Sequence, residues 1–391
     1  MSDEDEHDGS EVAPGLGWPG TFRGPTGEGL GWPGVVLPGS APAGAPVSRC
    51  EGPRPVPEEP GASPPAGDVS RETFGSLTRD SGTGPSAAPT TGSGTTPAHA
   101  APLAARLMDE ARRRKLLAGR PLRSPARTRV LTVANQKGGV GKTTTAVNLA
   151  AALAQSGMRV LVIDMDPQGN ASTALGVPHH AGTAGVYDIL TDEATLADVV
   201  RPSSTYGDLW CAPATIDLAG AEIELVPLVA REARLRNALH RYLASETTAE
   251  PFDYVFIDCP PSLGLLTVNA FVAADEVLIP IQCEYYALEG LSQLLTNITL
   301  IQENLNPSLR VSAILLTMYD ARTRLAAQVA QEVRGHFADR VLNTTIPRSV
   351  RISEAPSHGE TVMTYDPAST GALCYLEAAA ELAGQPERKR Q

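Results

Sequence analysis

The stretch VANQKGGVGKTTTAVNLA, residues 133–150, constrains this chain more than any other. Apolar residues lead into it as a strand, glycines crowd its middle, and a helix-forming run leaves it. Gly138, Gly139 and Gly141 let successive backbone amides turn toward phosphate oxygens, and the helix starting at Lys142 presents its positive end to them. In a loop of this kind the lysine at position 142 reaches the β and γ phosphates and the Thr143 hydroxyl ligates magnesium. The expected nucleotide contacts are therefore Gly138, Gly139, Val140, Gly141, Lys142, Thr143 and Thr144, with Lys137 beside them. The spelling G-x-x-x-x-G-K-[ST] is not met, because Gln136 stands at its first glycine. Lys137 stands at the loop's entrance as a second lysine, where the loop's own phosphates need only Lys142.

From Arg129 onward, apolar runs alternate with helical stretches. VLTVAN, RVLVIDMD, FDYVFIDCPP, EVLIPIQ, VSAILLT and VLNTTIP read as strands, and residues 142–155, 287–304 and 324–337 as helices. This pattern predicts one α/β domain with a mostly parallel twisted sheet covered by helices on both faces. Ligands of such sheets sit at the carboxyl ends of the strands. Asp258 ends the strand VFID, where an aspartate holds magnesium directly or through its water. Asp164 and Asp166 end the strand RVLVID and enter a proline and glycine turn, and Asp166 is the group best placed to orient an attacking water.

The first third is different. Most of the 33 prolines and 36 glycines crowd into it, and residues 1–124 show no sustained apolar periodicity, which predicts a disordered tail. Within it GLGWPG occurs at 15–20 and again at 29–34, carrying Trp18 and Trp32. The repeat reads either as duplicated low-complexity sequence or as a docking motif with aromatic anchors. Residues 102–120 suit a short basic helix carrying Arg112 to Lys115, either a solvated linker or a contact for nucleic acid or an acidic partner. A net charge of −12 excludes a generally basic DNA binder, so any DNA affinity must come from a local patch. The five cysteines form no C-x-x-C pair and no metal spacing, which fits reduced thiols in a cytoplasm. No secretory h-region opens the chain and no apolar run reaches the roughly 20 residues of a membrane span. The folded domain is expected over 127–385, with a charged tail at 386–391.

KGGVGKT with Lys137, DMDPQGN and VFIDCPP resemble the nucleotide motifs of the deviant Walker ATPases of the ParA/MinD superfamily. TMYDART at 317–323 and IPRSVRISEAPSHG at 346–359 are similar to chromosomal ParA (Soj) members. The resemblance covers about 129–383, and the long Ala, Gly, Pro and Arg-biased extension before it is compatible with an actinobacterial member. It implies a single P-loop NTPase domain that hydrolyses ATP with Mg2+, with Lys137, Lys142 and Asp166 as the catalytic set. It implies Thr143, Asp258 and Asp166 around the metal. It also implies a homodimer with two ATP molecules sandwiched between subunits, Lys137 reaching the partner's phosphates. Arg322 and Arg351 of both subunits would then form a face for nonspecific double-stranded DNA, extended by Arg324, Arg348 and Arg310. A centromere-bound ParB-type protein would stimulate hydrolysis, the location would be cytoplasmic and nucleoid-associated, and the tail's tryptophans would suit a polar scaffold.

Three other classes fit less well. A membrane-positioning ATPase of the MinD type needs a C-terminal amphipathic helix, whereas ELAGQPERKRQ has no bulky apolar residue after Leu382. An iron–sulfur reductase needs paired cysteines between subunits, and Cys259 and Cys283 read as packed thiols. A partition protein that represses its own operon needs a helix-turn-helix, which the Pro/Gly tail cannot form.

Overall fold

The computed structural model describes residues 100–118, 122–245 and 250–385. The expectations for residues 1–99, the Trp18 and Trp32 repeat among them, and for 386–391 lie outside these. β1 (Arg129–Val133), β2 (Val160–Asp164), β3 (Arg201–Pro202), β4 (Leu209–Ala212), β5 (Tyr254–Asp258), β6 (Glu276–Gln282), β7 (Arg310–Tyr319) and β8 (Val341–Pro347) form one sheet. Its order is β3-β4-β2-β5-β1-β6-β7-β8. Every neighbouring pair is parallel except β3 with β4. The chain is thus the expected α/β domain with a mostly parallel sheet. The sequence reading passed over β3 and β4, which are too short to show a period of two.

Side-chain alternation divides the core between the two faces of the sheet. Leu161 and Ile163 of β2, Val255 and Ile257 of β5 and Ile279 of β6 face one layer. That layer holds Leu235 and Leu239, Leu266 and Phe271, Leu291 and Ile298, and Val333 from successive helices. Leu131 and Val133 of β1, Val160 and Val162 of β2, and Phe256 of β5 face the other. There they meet Ala146, Val147 and Leu149 of the Lys142–Gln155 helix, and Tyr375 and Ala378 of the Thr370–Gly384 helix. Strands buried on both faces have no polar position to spare, which is why they read as continuous Val, Ile and Leu runs.

At the amino ends of the strands a buried ion-pair cluster ties three of them together. Arg129 of β1 donates to Glu276 of β6 at 2.7 and 3.0 Å, and Arg310 of β7 donates to the same carboxylate at 2.7 Å. Arg129 also donates to the Leu382 carbonyl at 2.8 Å, joining the cluster to the last described helix.

The helix expected at 102–120 runs from Ala100 to Ala118 and docks on the folded domain instead of standing free in a tail. Arg113 binds the Glu377 carboxylate at both oxygens. Arg114 donates to the carbonyls of Pro367, Ala368 and Ser369, each at 2.8 Å, and the Thr370 hydroxyl donates to Glu110 at 2.7 Å. Two arginines of the basic cluster are therefore consumed by the domain itself, and Arg112 and Lys115 remain exposed. Arg113→Ala leaves a partly buried Glu377 without its partner, a loss on the order of 1 kcal/mol. The expected outcome is a melting temperature lower by about 2–4 °C, with faster protease cleavage between the helix and β1. Unchanged cleavage would show that the helix is held by other contacts.

Candidate functional site

The loop between β1 and the Lys142–Gln155 helix lies at the carboxyl edge of the sheet, where β5 and β6 flank β1 on either side. Asn135 fixes its entrance: its side-chain amide donates to the Pro280 carbonyl at 2.8 Å and its oxygen accepts the Lys137 amide at 3.0 Å. Gly139 and Gly141 have φ of 75° and 87°, a left-handed geometry that only glycine adopts freely. A Cβ at Gly138 or Gly139 would meet nothing within 4 Å, so the loop's outer face is open to an approaching phosphate. The first-turn amides of the following helix have no intrahelical acceptor and point the same way. The Val140 carbonyl accepts the Thr317 hydroxyl at 2.8 Å, which pins the loop to β7.

Lys142 is buried, and burial lowers its pKa, opposed by the nearby acidic groups Asp258 and Asp166. Those groups surround it because β2 and β5 run parallel in register and end together, with Asp164 opposite Asp258. The two aspartates differ in their partners. Asp164 accepts from the Ser172 amide at 2.8 Å, the Ser172 hydroxyl at 2.7 Å and the Asp166 amide at 3.2 Å. It is occupied in holding the turn that follows β2, and burial pushes its pKa up to about 6 against the pull of those bonds. Asp258 is buried, and neither of its oxygens has a hydrogen-bond partner. Burial first, and the Asp164 charge second, push its pKa well above the usual range.

An unpartnered buried carboxylate costs several kcal/mol unless something compensates it. Magnesium, a hard cation that prefers carboxylate, hydroxyl and phosphate oxygens, fits here beside Lys142 and Thr143. Asp166 lies one residue into the turn, nearly buried, accepting the Gln168 amide at 3.0 Å. The nucleotide-site residues named from the sequence, Gly138 to Thr144, Asp166 and Asp258, thus converge on one edge. Cys259 and Cys283 are buried thiols whose pKa burial raises to about 12 and about 11, which suits packing.

Lys137 has a partner the sequence did not suggest. Its Nζ lies 2.7 Å from Glu284 Oε2, two residues beyond the end of β6. Gln282, Glu284 and Thr317 were all missed, although the rule that ligands gather at strand ends points to all three.

Arg322 and Arg351 follow the carboxyl ends of the neighbouring strands β7 and β8, a few residues beyond the paired Tyr319 and Pro347. Arg322 is 89% exposed and donates to both oxygens of Asp320, at 2.9 and 2.8 Å. Those bonds hold the Asp320 carboxyl down at about 2. Arg351 lies 3.4 Å from Glu354 and 3.6 Å from Asp366, over the Tyr365 ring. The charge of Arg348 also favours the Asp320 carboxylate, and both Arg348 and Arg324 are exposed. Arg310 corrects the expectation. It begins β7 at the opposite end of that ten-residue strand and is bound to Glu276, so it cannot join this patch.

Residues 128–311 match a family described as an AAA domain. The chain is 55% identical over 255 residues to the sporulation initiation inhibitor protein Soj of Bacillus subtilis, covering 65% of this chain and 98% of Soj. It belongs to the ParA/Soj family of chromosome-partitioning ATPases. ParA of Myxococcus xanthus is 52% identical over 254 residues, covering 65% of this chain and 87% of that protein. Among solved structures, a cobyrinic acid a,c-diamide synthase from Mycobacterium smegmatis with bound ADP and magnesium is 38% identical. It has a TM-score of 0.55, covering 64% of this chain and 92% of that one. Like other ParA/Soj proteins, this chain is an ATPase that uses ATP and Mg2+. Among the described residues no helix is long and apolar enough to cross a membrane.

Asp258→Asn tests the carboxylate pair. In metal-free protein the raised pKa values favour folding only while Asp164 and Asp258 stay protonated. The contribution of both is complete below about pH 4, the ordinary aspartate value; that of Asp164 is lost as pH rises through about 6 and that of Asp258, whose pKa is raised well above the ordinary range, is lost as pH rises further. The variant is expected to melt about 2–6 °C higher than wild type at pH 7.5 without metal, with a shallower decline from pH 5 to pH 8. It should also lose the stabilisation that Mg-ATP gives wild type. Equal melting at every pH would mean that Asp258 carries no uncompensated charge.

Proposed function

We propose that this protein segregates or anchors replicated chromosome origins as an ATP-controlled dimer that binds DNA without sequence preference. The observation that carries the reading is the position of Lys137. It stands half-exposed at the loop entrance, outside the cradle that Lys142 and Thr143 complete. Two triphosphates brought together in a closing interface repel strongly, and a lysine from each subunit placed on the other's nucleotide offsets that charge. Gly138 and Gly139, open on their outer side, leave room for the partner's backbone. Occupancy by ATP then sets the association state.

In this reading the amides of Gly138 to Thr144 and the Lys142 ammonium hold the phosphates. Thr143 and Asp258 hold magnesium, Asp258 directly or through water, with Asp166 beside it. Bound Mg-ATP supplies the phosphoanhydride whose cleavage to ADP and phosphate resets the cycle, and Asp166 orients the water. Dimerisation doubles the edge carrying Arg322 and Arg351, flanked by Arg324 and Arg348, which lets an acidic chain bind DNA through a local patch. A ParB-type centromere-binding protein stimulates hydrolysis, and the tail suits a polar scaffold. The location is the cytoplasm, on the nucleoid. The synthase activity named for the Mycobacterium smegmatis protein is not carried over, since identity to Soj is 55% against 38%.

Lys137→Ala is expected to bind Mg-ATP normally but to remain monomeric in light scattering, because the contacts within one subunit run through Lys142 and Thr143. Asp166→Ala should dimerise and stay on DNA while its turnover falls about 10²–10⁴-fold. A Lys137→Ala protein that dimerises fully, or an Asp166→Ala protein with wild-type turnover, removes that residue from its role.

The DNA face predicts a salt dependence. Arg322→Glu or Arg351→Glu should each leave dimerisation intact and reduce the slope of log affinity against log salt by about 2, one phosphate contact per subunit. If the double variant binds DNA as wild type does, the exposed Arg112 and Lys115 become the preferred contacts.

A further inference from the structure

The cleft between the loop entrance and the end of β6 holds an ion pair whose geometry is more ordered than a chance surface contact. Glu284 is fixed at both carboxylate oxygens: Gln282 donates its side-chain amide to Oε1, and Lys137 donates to Oε2 at 2.7 Å. Its backbone amide also donates to the Gln282 carbonyl at 2.8 Å, closing a tight turn directly after the strand. On the other side, the Lys137 backbone is held by Asn135, which is itself tied to Pro280 of β6. Backbone and side chain of Lys137 are thus both fastened to the end of one strand of its own subunit. Lys137 and Glu284 are 40% and 46% exposed, and Tyr285 and Tyr286 beyond them are open to solvent, so an approaching molecule can reach the pair.

We infer that Glu284 is a latch that holds Lys137 within its own subunit and thereby sets the threshold for dimerisation. The inference rests on the proposed role of Lys137 across the interface. The Lys137 ammonium has three donors, but the Glu284 carboxylate and a partner's triphosphate repel each other and compete for its single positive charge. The triphosphate of a second subunit must therefore displace the carboxylate. A partner without the terminal phosphate, in the ADP state, competes less well, so the latch suppresses unproductive pairing. Gln282 acts as the positioning residue, because it orients the Glu284 carboxylate toward the lysine.

The pair is partly exposed, so the latch is a modest one. Pairs of this exposure shift equilibria by about 1.4- to 5-fold. A dimer that uses two lysines should therefore respond by about 2- to 30-fold.

The test compares Glu284→Gln, a near-isosteric change at an exposed position, with wild type and Lys137→Ala, all full length. Two quantities are read. One is the rate of Lys137 acetylation by acetic anhydride in nucleotide-free protein, followed by peptide mass spectrometry. The other is the monomer–dimer constant at saturating Mg-ATP and at saturating Mg-ADP. The latch predicts faster acetylation of Lys137 in Glu284→Gln and a dimer tighter by about 2- to 30-fold. It also predicts some dimer with ADP, and a difference from wild type that shrinks in high salt. Unchanged acetylation overturns the latch, because the ion pair then does not restrain the lysine. Faster acetylation with an unchanged or weaker dimer overturns it as well, because the pair then gates nothing. If Lys137→Ala dimerises like wild type, the role of Lys137 across the interface fails first, and that result is distinct from a failure of Glu284 alone.

Discussion

Two carboxylates meet where β2 and β5 end side by side, Asp164 opposite Asp258, and the rest of the site is arranged around the cost of burying them. Water cannot reach either, and like charges at this range disfavour joint ionisation. The protein resolves half of the problem itself. Ser172 and the Asp166 amide satisfy Asp164, which fixes the turn after β2 and so places Asp166. The other half is left open, because neither Asp258 oxygen has a hydrogen-bond partner within bonding geometry and only the nearby Thr143 hydroxyl and Lys142 ammonium favour its charged form. A site with a standing deficit of positive charge, beside a loop that accepts phosphate, is preorganised for a metal–nucleotide complex. The same strain makes the ligand-free protein less stable than its packing allows.

From that centre, mechanical links run outward. The Thr317 hydroxyl holds the Val140 carbonyl of the loop, and the next residue, Met318, takes a left-handed φ of 49° where β7 loses register with β8. Arg322 begins four residues further on. The nucleotide loop and the arginine edge are therefore joined through one kinked strand end. A strained non-glycine residue at such a place marks a position whose geometry the surroundings enforce. On the opposite side of the loop, Asn135, Pro280, Gln282 and Glu284 join Lys137 to β6. β6 and β7 thus both tie the loop down by hydrogen bonds.

Much of this was legible in the sequence, for a physical reason. Strands buried on both faces must be apolar nearly throughout, so β1, β2, β5, β6 and the middle of β7 announced themselves, while the partly exposed β8 showed only its apolar ends. A phosphate loop needs glycine and lysine at fixed offsets, so residues 138–144 could be named, and Asp166 and Asp258 followed from their strand ends. What stayed hidden depends on contacts across long sequence distances. Glu284 stands 147 residues from Lys137, and nothing local in QCEYYALEG marks it as that lysine's partner. Arg310 looked available because its charge is visible in sequence, while Glu276, which consumes it, lies 34 residues away on another strand. The basic run Arg112 to Lys115 read as free for the same reason, although Arg113 and Arg114 serve Glu377 and three backbone carbonyls. Local pattern reports periodicity and backbone need. It does not report which charges have already been paired.

Sedimentation velocity of wild-type protein with Mg-ATP and with Mg-ADP, each with and without a DNA duplex of unrelated sequence, most directly tests whether nucleotide sets the association state. With Mg-ATP the mass should double and the dimer should move with DNA. With Mg-ADP the chain should sediment as a monomer apart from the DNA. Equal mass and equal DNA binding in the two nucleotides would contradict it, since the Lys137 side chain would then have no terminal phosphate to answer to.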